Sequence, residues 1–172
     1  MARTMNKLMR ILKHRWLDER DAQRALGADA LARLQARVQL SEKRHSGEIR
    51  VCVEAGLPMS YLWRGAVARE RAVSMFGKLR VWDTEANNGV LIYLLLAEHA
   101  IEIVADRGLN RHVSAQRWQD IMSAMRSAFR AGQFEAGLNA AIDAVDALLV
   151  QHFPIGTAQS NKNELPDAPH LG

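Results

Sequence analysis

The sequence predicts an α/β fold in which a small mixed β-sheet carries helices on its faces, and three observations predict it. "EIRVCVE" alternates apolar and polar residues at the period of a strand. "GVLIYLLLAEHAIEIVAD" holds two runs rich in branched residues around the polar break Glu98 and His99, the pattern of an antiparallel hairpin. Around these runs apolar residues recur at helical spacing, so strand, helix and strand follow one another as in a crossover unit.

Taken in order, "MNKLMRILKHRWL" places Met5, Leu8, Met9, Leu12 and Trp16 at helical spacing, with Lys7, Arg10, Lys13 and Arg15 between them. This is a basic amphipathic helix within an N-terminal segment, residues 1–26. Its apolar stripe either packs on its own domain, the commoner use of such stripes, or anchors the chain to anionic lipid or a protein partner through residues 5–16. "DERDAQRALGA" is too charged for a strand and stops at Gly27. A domain over residues 27–154 then opens with "DALARLQARVQL", whose Leu31, Leu34 and Val38 share a face behind a capping Asp29. "EIRVCVE" reads as a half-buried strand, with Ile49, Val51 and Val53 on one side and Glu48, Arg50, Cys52 and Glu54 on the other. After the turn "GLPMS", Leu62, Ala66, Val73 and Phe76 mark the inner side of a helix from Tyr61 to Lys78.

The first hairpin arm is apolar at nearly every position, as for a strand covered on both faces. Trp118, Ile121, Met122, Met125 and Phe129 form one helical stripe. Phe134, Leu138, Ile142, Val145 and Leu149 form the next, so two helices stack in the last third. Residues 155–172 are polar, rich in Pro, Gly and Asn and without period, and a disordered tail is expected there.

The chain has 172 residues, 48% of them apolar, enough for one core. Its longest apolar run, Val90 to Ala97, is far short of the ~20 residues of a membrane span. No signal-peptide pattern is read, so a cytoplasmic protein is expected. The formal charge of +4 is spread along the chain among acids, which argues against nucleic acid as a partner. Cys52 lies inside a strand and reads as a structural thiol.

Zinc-ligand spacings, G-x-S-x-G, the Walker lysine loop and G-x-G-x-x-G are all absent. The pairing of His45 with Ser41 and Ser46, and of Glu98 with His99, is read as chance adjacency. The loop "DTEANNG" carries oxygens at Asp83, Glu85 and Asn87, but Asn88 stands where a calcium-binding EF-hand loop needs glycine, and Leu94 where it needs the bidentate glutamate. It is not an EF-hand. Because the start of one hairpin arm lies beside the end of the other, Asp83, Asn87, Asn88 and Asp106 are expected to converge. Oxygen ligands of that kind suit calcium or magnesium. The competing reading is a tight Asn88-Gly89 turn with Asp106 as a cap.

"SGEIRV", "NNGVLIYLLLAEHAIEIVADRGL", Trp118, "MRSAFRAGQFEAGLNAAI" and the closing "HFP" resemble, in that order, the TPM domain family. The likeness runs from about Leu31 to Pro154. It implies an αβα sandwich around a small mixed sheet, and it carries the family's acidic and amide positions onto Asp83, Asn88 and Asp106, with Glu48 and Asn87 as further candidates. Where relatives have a glycine-rich turn after the hairpin this chain has "ADRG", which adds Arg107, a group able to pair with Asp106 or contact a phosphate. The resemblance implies two functional classes. One is a non-catalytic accessory or interaction module that holds a divalent cation and has an unidentified protein partner. The other is a metal-assisted acid phosphatase, for which no nucleophile or general acid can be named.

Overall fold

The structure, a computed structural model, describes residues 7–156 and 162–172. Helices α1 (Lys7–Arg15), α2 (Glu19–Leu26) and α3 (Ala28–Ser41) precede strand β1 (Glu48–Glu54). Helices α4 (Met59–Trp63) and α5 (Ala68–Lys78) then cross to β2 (Gly89–Leu95), and a short 3-10 turn returns the chain as β3 (Ala100–Ala105). The turn α6 (Arg107–Asn110), the long helices α7 (Ala115–Arg130) and α8 (Phe134–His152), and β4 (His170–Leu171) complete the fold.

Among the described residues the sheet has the order β3-β2-β1-β4 and is mixed. β1 runs parallel to β2 with Glu48 opposite Gly89. β2 and β3 form the expected antiparallel hairpin, Val90 opposite Ala105. His99 makes its turn in the left-handed region at φ 48°, which a tight reversal requires.

Alternation divides the core into two layers. Ile49, Val51, Val53, Val90, Ile92 and Leu94 face α3, α7 and α8, where Leu34, Val38, Phe129, Leu138 and Leu149 close the packing. Cys52, Leu91, Tyr93 and Leu95 face the other way, against Leu62, Ala72 and Met75 of α4 and α5, with Ile11 of α1 at the margin. The architecture is an αβα sandwich. Burial pushes the Cys52 thiol up to about 12, which keeps it protonated and inert at neutral pH.

Four expectations are corrected. β1 is not half-buried, because every residue from Glu48 to Glu54 is buried. Its polar face is covered by α5 and by residues 162–172, and its charged side chains are paired there. The helix expected over 61–78 is two helices, since the chain turns through Gly65 at φ 73°. Val73 consequently lies outside, 51% exposed. Asp29 does not cap α3, which starts at Ala28 and so takes Asp29 into its first turn. The disordered tail is also overturned. Residues 157–161 lie outside the described residues, but beyond them β4 pairs with β1, Cys52 opposite His170 and Val53 opposite Leu171. Glu48 accepts hydrogen bonds from the backbone of Glu164 at 3.1 Å and Leu165 at 3.3 Å, while Arg50 donates to the carbonyls of Ala168, at 2.7 Å, and Pro166.

α1 forms at the expected place but docks by an unexpected face. Ile11 and His14 turn inward, whereas Leu8, Met9, Leu12 and Trp16 of the apolar stripe stand exposed. Packing of that stripe onto its own domain is therefore not what the structure shows. Met5 lies outside the described residues. No helix among the described residues is long and apolar enough to cross a membrane.

Candidate functional site at the end of the hairpin

The loop entering β2 is shaped by its own side chains. The Thr84 hydroxyl accepts from the Asn88 backbone at 3.1 Å, the Thr84 carbonyl accepts from the Asn87 amide at 3.2 Å, and Asn87 adopts φ 51°. Asparagine tolerates that left-handed conformation better than most residues. The exit from β3 closes on the same loop: Asp106 N–H donates to the Gly89 carbonyl at 2.9 Å, and Gly108 N–H to the Asn87 carbonyl at 2.8 Å. Gly89 and Gly108 permit this approach, since a Cβ on Gly89 would strike the Val81 carbonyl and one on Gly108 the carbonyls of Ala86 and Asn87.

Asn88 and Asp106 are thereby carried to one end of the sheet, both buried. Asn88 donates from Nδ2 to Ser46 Oγ at 3.2 Å, and its Oδ1 has no hydrogen-bond partner among the described residues. Asp106 Oδ1 accepts from the Arg107 backbone at 2.6 Å, and its Oδ2 is likewise buried without a partner among the described residues. Each unpaired buried acceptor costs about 1–3 kcal/mol.

The other predicted residues behave differently. Asn87 belongs to this end through its backbone, and its side chain is exposed. Asp83 is exposed and ion-paired with Arg80. Arg107 meets Asp106 through its main chain and leaves its side chain exposed. Glu48 is committed to holding residues 164 and 165, and burial pushes its carboxyl up to about 7. Beside it Glu42 accepts from the Ile49 amide at 3.0 Å and is pushed by burial up to about 9. Among the described residues no three His, Cys, Asp or Glu side chains form a metal-ligand group.

Thr84, which holds the Asn88 backbone, is absent from the sequence reading, and Ser46, weighed there only beside His45, instead accepts from the Asn88 side chain. The four-residue spacing of Thr84 and Asn88 was a usable signal for the first of these contacts. For Glu164 and Asp167 beside Glu48 no signal existed, because 116 residues separate Glu164 from Glu48.

Sequence adjacency also understated one cluster. Ser41 Oγ lies 2.8 Å from His45 Nε2 and donates to Asp146 Oδ1 at 2.8 Å, all three residues being buried. With the hydroxyl proton directed to the aspartate, the histidine donates to the serine, the reverse of what a hydrolytic triad requires. Burial holds His45 below its ordinary pKa. The cluster fastens α3 to α8, and Arg44 completes it on Asp146. His99 sits in the opposite turn of the hairpin, edge-on to Phe134, and His112 stacks on His152 with centroids 4.9 Å apart.

Residues 20–148 match the family model described as the TPM domain. Among solved structures the chain is similar to the BA42 protein of the psychrophilic bacterium Bizionia argentinensis, determined by NMR. The two share 29% identity with a TM-score of 0.73, over 86% of this chain and 95% of that one. No curated protein matches the chain.

Proposed function

From the premise that the chain belongs to the TPM domain family, we propose that it is a non-catalytic accessory module holding a divalent cation, calcium or magnesium, at the Asn88 and Asp106 end of its sheet. The observation that carries this reading is a pair of buried oxygens, Asn88 Oδ1 and Asp106 Oδ2, that have no partner among the described residues and stand at the adjoining ends of β2 and β3. A hard cation takes such oxygens directly and offsets the cost of leaving them without a proton donor.

Only one of the two side chains is a carboxylate, so water and main-chain carbonyls complete the coordination and binding falls in the weak range, Kd about 10⁻⁴–10⁻³ M. Asp83 joins the set only by leaving Arg80. The non-catalytic part rests on chemistry. His112, on the Asp106 side, is engaged in stacking on His152, and the Ser41 cluster is wired as a fastening.

A calcium and magnesium titration followed by backbone amide shifts, with a p-nitrophenyl phosphate assay on the same sample, tests the reading. Localised shifts at residues 84–89 and 105–108, lost in Asp106→Asn and unaccompanied by turnover, are expected. Asparagine keeps the helix-capping oxygen, so the variant folds. Absence of shifts refutes the cation site, and metal-dependent turnover abolished by Asp106→Asn refutes the non-catalytic reading in favour of a phosphatase.

A further inference from the structure

α1 is fastened in one orientation. His14, buried, accepts at Nδ1 from the Leu57 amide at 2.9 Å and meets Glu98 Oε1 through Nε2 at 3.0 Å. Arg10 reaches the same carboxylate at 2.7 Å and the Ala66 carbonyl at 2.7 Å. These contacts, with Ile11, occupy the inner face and leave the apolar stripe pointing outward. Met9 is 63% exposed, Leu12 51% and Trp16 83%, and Trp63 of α4 adds a second indole, 69% exposed. Lys7 Nζ sits 5.5 Å from the Trp63 ring centroid, which joins the two helices into one surface.

A stripe this apolar, held outward by polar contacts, is a recognition surface. We propose that this face of α1 and α4 docks on an anionic lipid bilayer. Charge selects that occupant. From Lys7 to Leu17 the chain has no acid, and Lys7, Lys13 and Arg15 are exposed around the apolar residues while Arg10 is occupied internally. Two exposed tryptophans beside a basic rim match the polar–apolar boundary of a membrane, where indole rings and cationic side chains both find partners. A second copy of this chain would instead press like-charged rims together. Attachment is peripheral, through α1 and α4 lying along the interface plane.

This goes beyond the cation reading and stands apart from it. Glu98 follows the end of β2 and Asn88 precedes its start, so about seven residues of strand, roughly 20 Å, lie between the two surfaces.

Flotation of the full chain with vesicles of phosphatidylcholine alone, and of phosphatidylcholine mixed with phosphatidylglycerol, tests the proposal. Tryptophan emission is read in parallel. The protein should float with the anionic vesicles, shift its emission to the blue, and detach at high salt, where exposed charges are screened. Lys13→Gln should weaken binding about fivefold. Leu12→Glu/Trp16→Glu should abolish it while leaving thermal unfolding unchanged, because both side chains are exposed. Equal flotation on both vesicle types, none on either, or unchanged flotation of the double variant overturns the proposal. So does a dimer in sedimentation that the same double variant dissolves, which would make this face a contact between copies.

Discussion

Replacing Arg71 by methionine removes the cation from a network that crosses the centre of the sheet. Arg71, 7% exposed, grips Glu54, 4% exposed, with Nε 2.8 Å from Oε2 and a second, parallel contact from Nη2. Tyr93, fully buried on β2, donates to the same Oε2 at 2.7 Å. Breaking such a pair from one side strands a buried charge and costs about 3–5 kcal/mol. In a domain of this size each kcal/mol moves the Tm by about 2–4 °C, so Arg71→Met should lower it by roughly 10 °C. Replacing all three groups by apolar shapes, Glu54→Leu/Arg71→Met/Tyr93→Phe, leaves nothing unpaired and should return stability to within about 1–2 kcal/mol of the parent. Urea unfolding followed by far-ultraviolet circular dichroism measures both. A single variant that loses less than about 1 kcal/mol, or a triple variant as unstable as the single one, would refute the reasoning.

Two further perturbations follow from the buried carboxyls and from the clamp on α1. Burial raises Glu48 to about 7 and Glu42 to about 9 from an ordinary 4.5, so the folded state favours their protonated forms. Their stabilisation is complete below about pH 4.5 and is lost as pH rises through 7 and then 9, with a slope of up to about 1.4 kcal/mol per pH unit for each carboxyl. Urea midpoints across this range should fall in the parent and flatten in Glu42→Gln/Glu48→Gln; a slope the variant leaves intact contradicts the assignment. The His14 hydrogen bond, and next Arg10, hold the Glu98 carboxyl below its usual range, so its contribution is present at neutral pH and lost on acidification through that lowered value. Glu98→Ala should reduce amide exchange protection in α1 by about 1–3 kcal/mol while β1 and β2 keep theirs; unchanged protection in α1 would show that the clamp lies elsewhere.

The opening residues of α1 show how far periodicity reaches. Spacing located the helix and named its apolar stripe, yet the stripe faces out, because His14 and Arg10 meet Leu57, Ala66 and Glu98 across 43 to 88 residues of chain. The candidate site was half legible. Strand pairing alone required that the loop before β2 lie beside the end of β3, and Asn88 and Asp106 do share that end. Which oxygens stay unpaired there depends on Ser46, Thr84 and the Arg107 amide, and Asp83 was lost to Arg80 only three residues away.

By itself the sequence determined the hairpin, the crossover from β1 to β2, the two long closing helices and the family, since each rests on local period, turn chemistry or ordered motifs. Tertiary structure decided the burial of Glu48, Arg50 and Glu54, the strand at His170–Leu171 and the outward face of α1. The physical reason is the same in each case. A polar residue's cost of burial is set by its partner, and these partners lie across the fold, where no window of sequence reaches them.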